Sequence, residues 1–260
     1  MSIEAFDRVH LDGTGFDRIT ESEVVAIVRD AVASGRGGRI VTPNIDILRQ
    51  AKVNTAVRAY LDDADLIVAD GMPLVWASKL TGTPLPERVA GSSLIWSLSE
   101  GLGRDGRSIF VIGGNPATPE EDNGAIRAAV RLGRASPGLR IAGTLCPEPG
   151  FEDDPEVYAE FCAAVRDAAP DLVFVGLGFP KQEKVITRLR DELPRAWFIG
   201  CGAAVNFVAG DVDRAPRWMQ RTGLEWAHRL GTEPGRLASR YLRHDAPYAL
   251  RLLTASAARR

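Results

Sequence analysis

Short β-rich apolar runs separated by helix-length segments predict an α/β fold: a Rossmann-like, mostly parallel sheet flanked by helices, with a helical appendage at the C-terminus. The runs are 39–42, 66–69, Ser108–Ile112, Leu139–Ala142, Leu172–Val175 and Trp197–Ile199. Several end abruptly in polar residues or glycine, as parallel strands do where their carboxyl ends border a ligand crevice. The appendage shows as a break in charge. From Arg214 to Arg260 there are ten arginines, no lysine and three acids, a net +7 that leaves −9 on residues 1–213 within the overall −2. The expected division is an α/β body over 1–213 and a cationic helical arm over 214–260.

A chain of 260 residues, 45% apolar and 25% charged, can bury a sizeable core without staples. Cys146, Cys162 and Cys201 are an odd number without metal-like or redox-like spacing, as expected of reduced thiols in a cytoplasmic protein. Glu4 and Asp7 near the start argue against a signal peptide, and no run of about 18 apolar residues predicts a membrane span.

Taken in order, Glu21–Ser34 has a broad apolar face that includes Val24, Val25, Val28 and Val32, and Gly35-Arg36-Gly37-Gly38 ends it before strand 39–42. A helix-turn region follows to Asp62. Strand 66–69 then leads into a helix opening at Asp70-Gly71 and ending near Gly82, and Thr81–Arg88, with two prolines, reads as a mobile loop. If strands 39–42 and 66–69 are parallel, Thr42, Asn44, Asp46, Asp70 and Arg88 converge on one crevice.

Three later strand ends carry glycines. Phe110-Val-Ile-Gly113-Gly114 is a strand and a turn that lets backbone N–H groups approach a phosphate or ribose, without the full dinucleotide fingerprint. In Phe174-Val-Gly-Leu-Gly178-Phe-Pro180-Lys-Gln182-Glu183, the proline suits a first helical turn that would project Gln182 and Glu183 into the crevice. Phe198-Ile-Gly200-Cys-Gly-Ala-Ala-Val-Asn206 repeats the arrangement. One such turn is ordinary; three on one sheet edge suggest a ligand cleft.

The chain resembles the WecG/TagA/CpsF glycosyltransferases along nearly its whole length. The resemblance rests on Thr42-Pro-Asn-Ile-Asp46, Ala69-Asp-Gly-Met-Pro73, Glu87-Arg-Val-Ala-Gly-Ser92 and Gly176-Leu-Gly-Phe-Pro-Lys-Gln-Glu183. It continues through Arg214-Ala-Pro-Arg-Trp-Met219, Gly223-Leu-Glu-Trp226 and Glu233-Pro-Gly-Arg236. It implies an inverting, metal-independent enzyme that moves a sugar, with N-acetylmannosamine the leading choice, from a UDP-sugar to a polyprenyl-diphosphate-linked acceptor in envelope polysaccharide synthesis. The expected place is cytoplasmic, peripheral at the inner face of the cell membrane. A rival of the same fold is a module that binds nucleotide sugar without turnover.

Inverting transfer needs a base for the acceptor hydroxyl and stabilisation of the departing diphosphate. By resemblance Asp70 is that base; a helix N-cap is its alternative, and one residue can serve as both. Thr42 and Asn44 would hold sugar or acceptor, and Gln182 would donate hydrogen bonds in the pocket. Asp46 reads equally as a sugar ligand or a helix cap. Arg88 would close over a phosphate or pair with Glu87 or another acid. Asn206 stands where similar proteins often have aspartate, and with Gly113, Gly114, Gly178, Pro180, Glu183 and Gly200 it completes the expected nucleotide-binding set.

No metal or other cofactor is expected. Asp63-Ala-Asp65 and Asp211-Val-Asp213 both read as solvated turns, and His10, His228 and His244 are far apart. In the arm, a helix over 215–230 would align Arg214, Arg217 and Arg221, and the next would align Arg236, Arg240 and Arg243 beside apolar residues. Such stripes suit an anionic membrane or a lipid diphosphate, or are simply solvated. By resemblance Arg229 and Arg236 fit the diphosphate best. Nucleic acid is disfavoured for want of a reading motif, and self-association through the face the arm would occupy is left open.

Overall fold

The computed structural model describes residues 7–216, 218, 219 and 223–258, with Arg236 described by its backbone alone. The mixed α/β architecture is as expected. A six-stranded parallel sheet runs in the order Leu66–Ile67, Gly38–Val41, Trp197–Gly200, Leu172–Gly176, Ser108–Gly113 and Arg140–Leu145, with a separate two-stranded sheet of Arg8–Leu11 and Thr14–Asp17. The chain divides into two compact units: Met1–Thr20, Val41–Ala90 and Arg214–Arg260 in one, Glu21–Ile40 and Gly91–Asp213 in the other.

The first unit opens with an antiparallel hairpin, β1 (Arg8–Leu11) and β2 (Thr14–Asp17), that the strand pattern above does not include. Its turn is Asp12-Gly13, both at positive φ (46° and 86°), the backbone a tight hairpin requires. Asp17 anchors it: one carboxylate oxygen accepts from Arg8 Nε at 2.7 Å and the other from the backbone N–H of Ile67 at 2.7 Å.

The second unit begins with α1 (Glu21–Ala33) and receives β3 (Gly38–Val41) up to Ile40. In the first unit come α2 (Ile45–Val53), α3 (Thr55–Asp62), β4 (Leu66–Ile67) and α4 (Met72–Leu80). The chain then stays in the second unit through α5 (Gly91–Arg104), β5 (Ser108–Gly113), α6 (Gly124–Ala135) and β6 (Arg140–Leu145). It continues with α7 (Pro155–Ala168), β7 (Leu172–Gly176), α8 (Lys181–Glu192), β8 (Trp197–Gly200) and α9 (Ala204–Ala209).

Strand alternation builds the core of the second unit. Phe110, Ile112, Val173, Val175 and Phe198 pack with Phe161 and Val165 of α7 and with Val185, Ile186 and Leu189 of α8. The intervening residues Ile109, Val111, Phe174 and Ile199 are fully buried too, so these strands are covered on both faces and read as continuous apolar runs.

A buried ion pair lies inside this unit. Arg39 on β3 is fully buried; its Nη2 is paired with Glu183 Oε2, and its Nη1 donates to Thr187 Oγ1 at 3.3 Å. Losing one partner strands the other's charge in the interior. Arg39→Met should therefore cost about 3–5 kcal/mol, read as a lower urea midpoint at unchanged slope, and Glu183→Gln in the same chain should recover part of it. A cost below about 1 kcal/mol would contradict this assignment.

In the arm the structure departs from the expected continuous helix over 215–230. Gly223, at φ 79°, interrupts it, and a Cβ there would come within 2.5 Å of Met72. A helix at Glu225–Thr232 follows, then Pro234–Ala238, a π-helical turn over Ser239–Asp245, and a final helix Ala246–Ala257 that packs on α4. No helix among the described residues is long and apolar enough to cross a membrane.

Candidate active site

The first unit gathers charge around Asp70. Asp70 follows β4 directly, and its backbone N–H donates to the carbonyl of Pro43 at 3.0 Å, which places the Thr42–Asn44 segment beside it. Val89 N–H donates to the carbonyl of Ala69 at 3.0 Å, and Leu85 N–H to the buried Ser78 Oγ at 2.9 Å. The proline-rich loop is thus tied at Leu85 and Val89, where a mobile one was expected, and it presents Arg88 to Asp70 from a fixed backbone.

Arg88 Nη1 lies 2.9 Å from Glu225 Oε2 and 3.9 Å from Asp70 Oδ1. Glu225 Oε1 in turn lies 3.7 Å from Arg214 Nε. The acid that pairs with Arg88 is therefore Glu225, in the first turn of the helix Glu225–Thr232. Its sequence signal was slight: it is one of three acids in an arginine-rich arm and sits inside Gly223-Leu-Glu-Trp226.

Asp70 does not cap the helix that follows. The N-cap of α4 is Gly71, at φ 150°, with no side-chain cap bond. The Asp70 side chain keeps 31% of its surface open, yet its surroundings strip enough water to push its pKa up to about 6. Arg88 opposes this shift, Glu225 adds to it, and Arg229 and Arg214 oppose it more weakly.

The remaining sequence candidates divide by unit. In the first, Thr42 is buried, and Asn44 caps α2, its Oδ1 accepting from Ile47 N–H at 3.0 Å. Asp46 does not cap; within α2 it accepts from Arg49 at 2.6 Å and Gln50 at 3.0 Å. Arg240 lies 3.5 Å from Asp245, whose pKa burial and the nearby Asp46 raise to about 6. Arg217 and Arg221 lie outside the described residues, as does the side chain of Arg236. A separate cavity of about 230 Å³, lined by His10, Asp12, Lys52, Tyr248 and Arg251 among others, includes none of the candidates.

In the second unit, Gln182 and Glu183, expected to project into the crevice, are buried, and Glu183 pairs with Arg39. Gln182 Nε2 donates to Glu183 Oε1 at 3.0 Å, and its Oε1 accepts from Gly202 N–H at 3.0 Å, so the amide clamps the turn after β8. A Cβ on Gly200 would lie 2.3 Å from that amide. Gly113, at φ 114°, is required by the carbonyl of Gly176, which a Cβ would approach to 2.5 Å. Gly114 lies against the start of α6, Gly178 has φ 77°, and Pro180 is the N-cap of α8. Asn206 donates to Asn115 Oδ1 at 3.3 Å.

Asp211 is not a solvated turn residue. Its side chain is 6% exposed and pairs with Arg127. Among the described residues no group of three or more His, Cys, Asp or Glu is placed to hold a metal ion. Burial pushes the Cys201 thiol up to about 12, which makes it a poor nucleophile.

The sequence pattern described as the glycosyl transferase WecG/TagA/CpsF family matches residues 9–260. The chain belongs to this family. It is a glycosyltransferase. Among its relatives is the N-acetylglucosaminyldiphosphoundecaprenol N-acetyl-beta-D-mannosaminyltransferase of Bacillus spizizenii, 36% identical over 201 residues, which are 77% of this chain and 74% of the relative. The enzyme of the same name from Bacillus subtilis is 33% identical over 200 residues, 77% of this chain and 73% of the relative.

The raised Asp70 pKa has a stability consequence. The ordinary carboxylate value is 3.8 and the folded value about 6, so the folded state prefers the protonated form. Stability is full below the unfolded value and falls as pH rises through the folded one. Asp70→Asn in this transferase should therefore be more stable than the parent at pH 8, by about 1–3 kcal/mol, with the gain vanishing below about pH 4. Urea unfolding at both pH values tests this; a destabilised variant at pH 8 would contradict it.

Proposed function

We propose that this glycosyltransferase moves N-acetylmannosamine, with inversion, from its UDP derivative to the sugar of a polyprenyl-diphosphate-linked N-acetylglucosamine. The acceptor class is supported by the names of the two Bacillus relatives. The observation that carries the mechanism is Asp70: a carboxyl with its pKa near 6, no helix to cap and, among the described residues, no cation hydrogen-bonded to it, Arg88 standing 3.9 Å away.

Asp70 takes the proton from the acceptor hydroxyl as that oxygen bonds to the anomeric carbon and the bond from that carbon to the diphosphate oxygen breaks. The proton transfer is concerted with attack, since a carboxylate of this strength cannot form a free alkoxide beforehand. Negative charge grows on the departing diphosphate, and Arg88, Arg214 and Arg229 are the guanidinium groups assigned to meet it. This leaves no charge that requires a divalent ion; turnover abolished by EDTA and restored by Mn²⁺ would argue otherwise. In the second unit, the turns at Gly113-Gly114, Gly178 and Gly200, with Asn206, are assigned to the nucleotide.

The arm is assigned to the membrane surface that carries the acceptor. Trp218, Trp226, Leu242 and Leu250 are exposed on segments rich in arginine, the composition of an interfacial contact with anionic lipid.

Asp70→Ala should lose transfer to a synthetic lipid-diphosphate acceptor by about 10²-fold or more, while still binding UDP-N-acetylmannosamine in a thermal-shift assay. The parent's kcat/KM should rise with pH through about 6 and then level. Retained transfer in Asp70→Ala would remove Asp70 from the mechanism, and binding without turnover in the parent would favour a nucleotide-sugar sensor. Leu242→Glu with Leu250→Glu should weaken co-sedimentation with phosphatidylglycerol vesicles without affecting UDP-sugar binding; undiminished sedimentation would take the arm off the membrane.

A further inference from the structure

Two carboxylates compete for one guanidinium edge. Arg88 Nη1 is at hydrogen-bond length, 2.9 Å, from Glu225, and about an ångström too far, 3.9 Å, from Asp70. The competition is set by the backbone: the Val89 and Leu85 hydrogen bonds hold the Arg88 loop, and the Pro43 bond holds Asp70. Glu225 is itself steadied by Arg214 at 3.7 Å, and as an acid in a helix's first turn it sits where the helix dipole favours it. All three partners are well covered, with side-chain exposures of 15% for Arg88, 13% for Glu225 and 21% for Arg214.

We propose that Glu225 is a positioning residue that draws the Arg88 guanidinium away from Asp70 and thereby leaves the Asp70 carboxylate able to accept a proton. Without that pull, Arg88 needs to close only about 1 Å to make a direct charge-assisted hydrogen bond to Asp70. A carboxylate so bonded is held as the anion and is a weak base, its pKa lower by about 1–3 units. Losing the negative charge of Glu225 acts in the same direction. Among the described residues, the charges that act on Asp70 are Arg88, Glu225, Arg229 and Arg214, and Glu225 is the acid among them.

The inference rests on Asp70 as the base, and the test separates the two. In the full-length protein, Glu225→Gln should move the acid limb of kcat/KM down by about one to two pH units and lower the plateau rate by about 3- to 10-fold. In an Arg88→Ala background the same substitution should move the limb much less, because the guanidinium held 3.9 Å from Asp70 is no longer there to collapse onto it. Glu225→Asp keeps the charge on a shorter side chain and should give an intermediate limb; it is also the variant to read if Glu225→Gln does not fold. A limb unmoved in both variants, with rate lost equally at every pH, would overturn the proposal. An equal shift with and without Arg88 would overturn it as well, by reducing Glu225 to a simple charge. If Asp70→Asn keeps transfer, the base assignment fails instead; if Asp70→Asn is inactive and the Glu225 variants leave the limb in place, only the present inference fails.

Discussion

The chemistry proposed for this glycosyltransferase depends on a carboxyl that has lost much of its water without gaining a hydrogen-bonded cation among the described residues. Burial alone would leave Asp70 too reluctant to ionise, and a bonded arginine would leave it too reluctant to take a proton. Its surroundings lie between these limits, with the Arg88 guanidinium at 3.9 Å and a second carboxylate taking up that cation's hydrogen bond. The fold supplies the geometry by cheap means. A two-residue strand ends at the carboxyl, a glycine at φ 150° starts the next helix so that Asp70 need not cap it, and two backbone bonds fix the flanking segments.

The second unit handles buried charge in the opposite way. Arg39 and Glu183 are paired inside the unit, and Gln182 extends the network to the backbone of Gly202. Such a network favours one arrangement of the turn after β8 over alternatives, at a desolvation cost that the hydrogen bonds offset. A hydrogen-bonded pair suits a scaffold, whereas a carboxyl left without a bonded cation is what proton transfer requires.

Much of the fold was legible because buried parallel strands announce themselves. Ser108–Ile112 and Leu172–Val175 were read within a residue or so of their observed bounds, since strands covered on both faces are apolar throughout. The β1–β2 hairpin was missed although Asp12-Gly13 between Val9, Leu11, Thr14 and Phe16 is a strong two-residue turn signal; its strands are only four residues each. At the site, Asp70 and Arg88 were named from motif order, but Glu225 was not, because an ion pair 137 residues apart in sequence leaves no periodic trace. The same blindness to distant partners hid the pairing of Glu183 with Arg39. The spacing of Gln182 and Glu183 said where α8 begins, and only the burial of Arg39, on a strand read for its apolar residues, says which way they face.

The most direct measurement is the titration of the Asp70 carboxyl itself, followed by carbon-detected NMR of the side-chain carboxyls with Asp70→Asn as the assignment control. The account predicts a midpoint near 6 that moves upward when Arg88 is replaced by alanine. A midpoint at or below the ordinary carboxylate value of 3.8 would mean that Asp70 is a firmly held anion, and the base proposed for the transfer would have to be sought elsewhere.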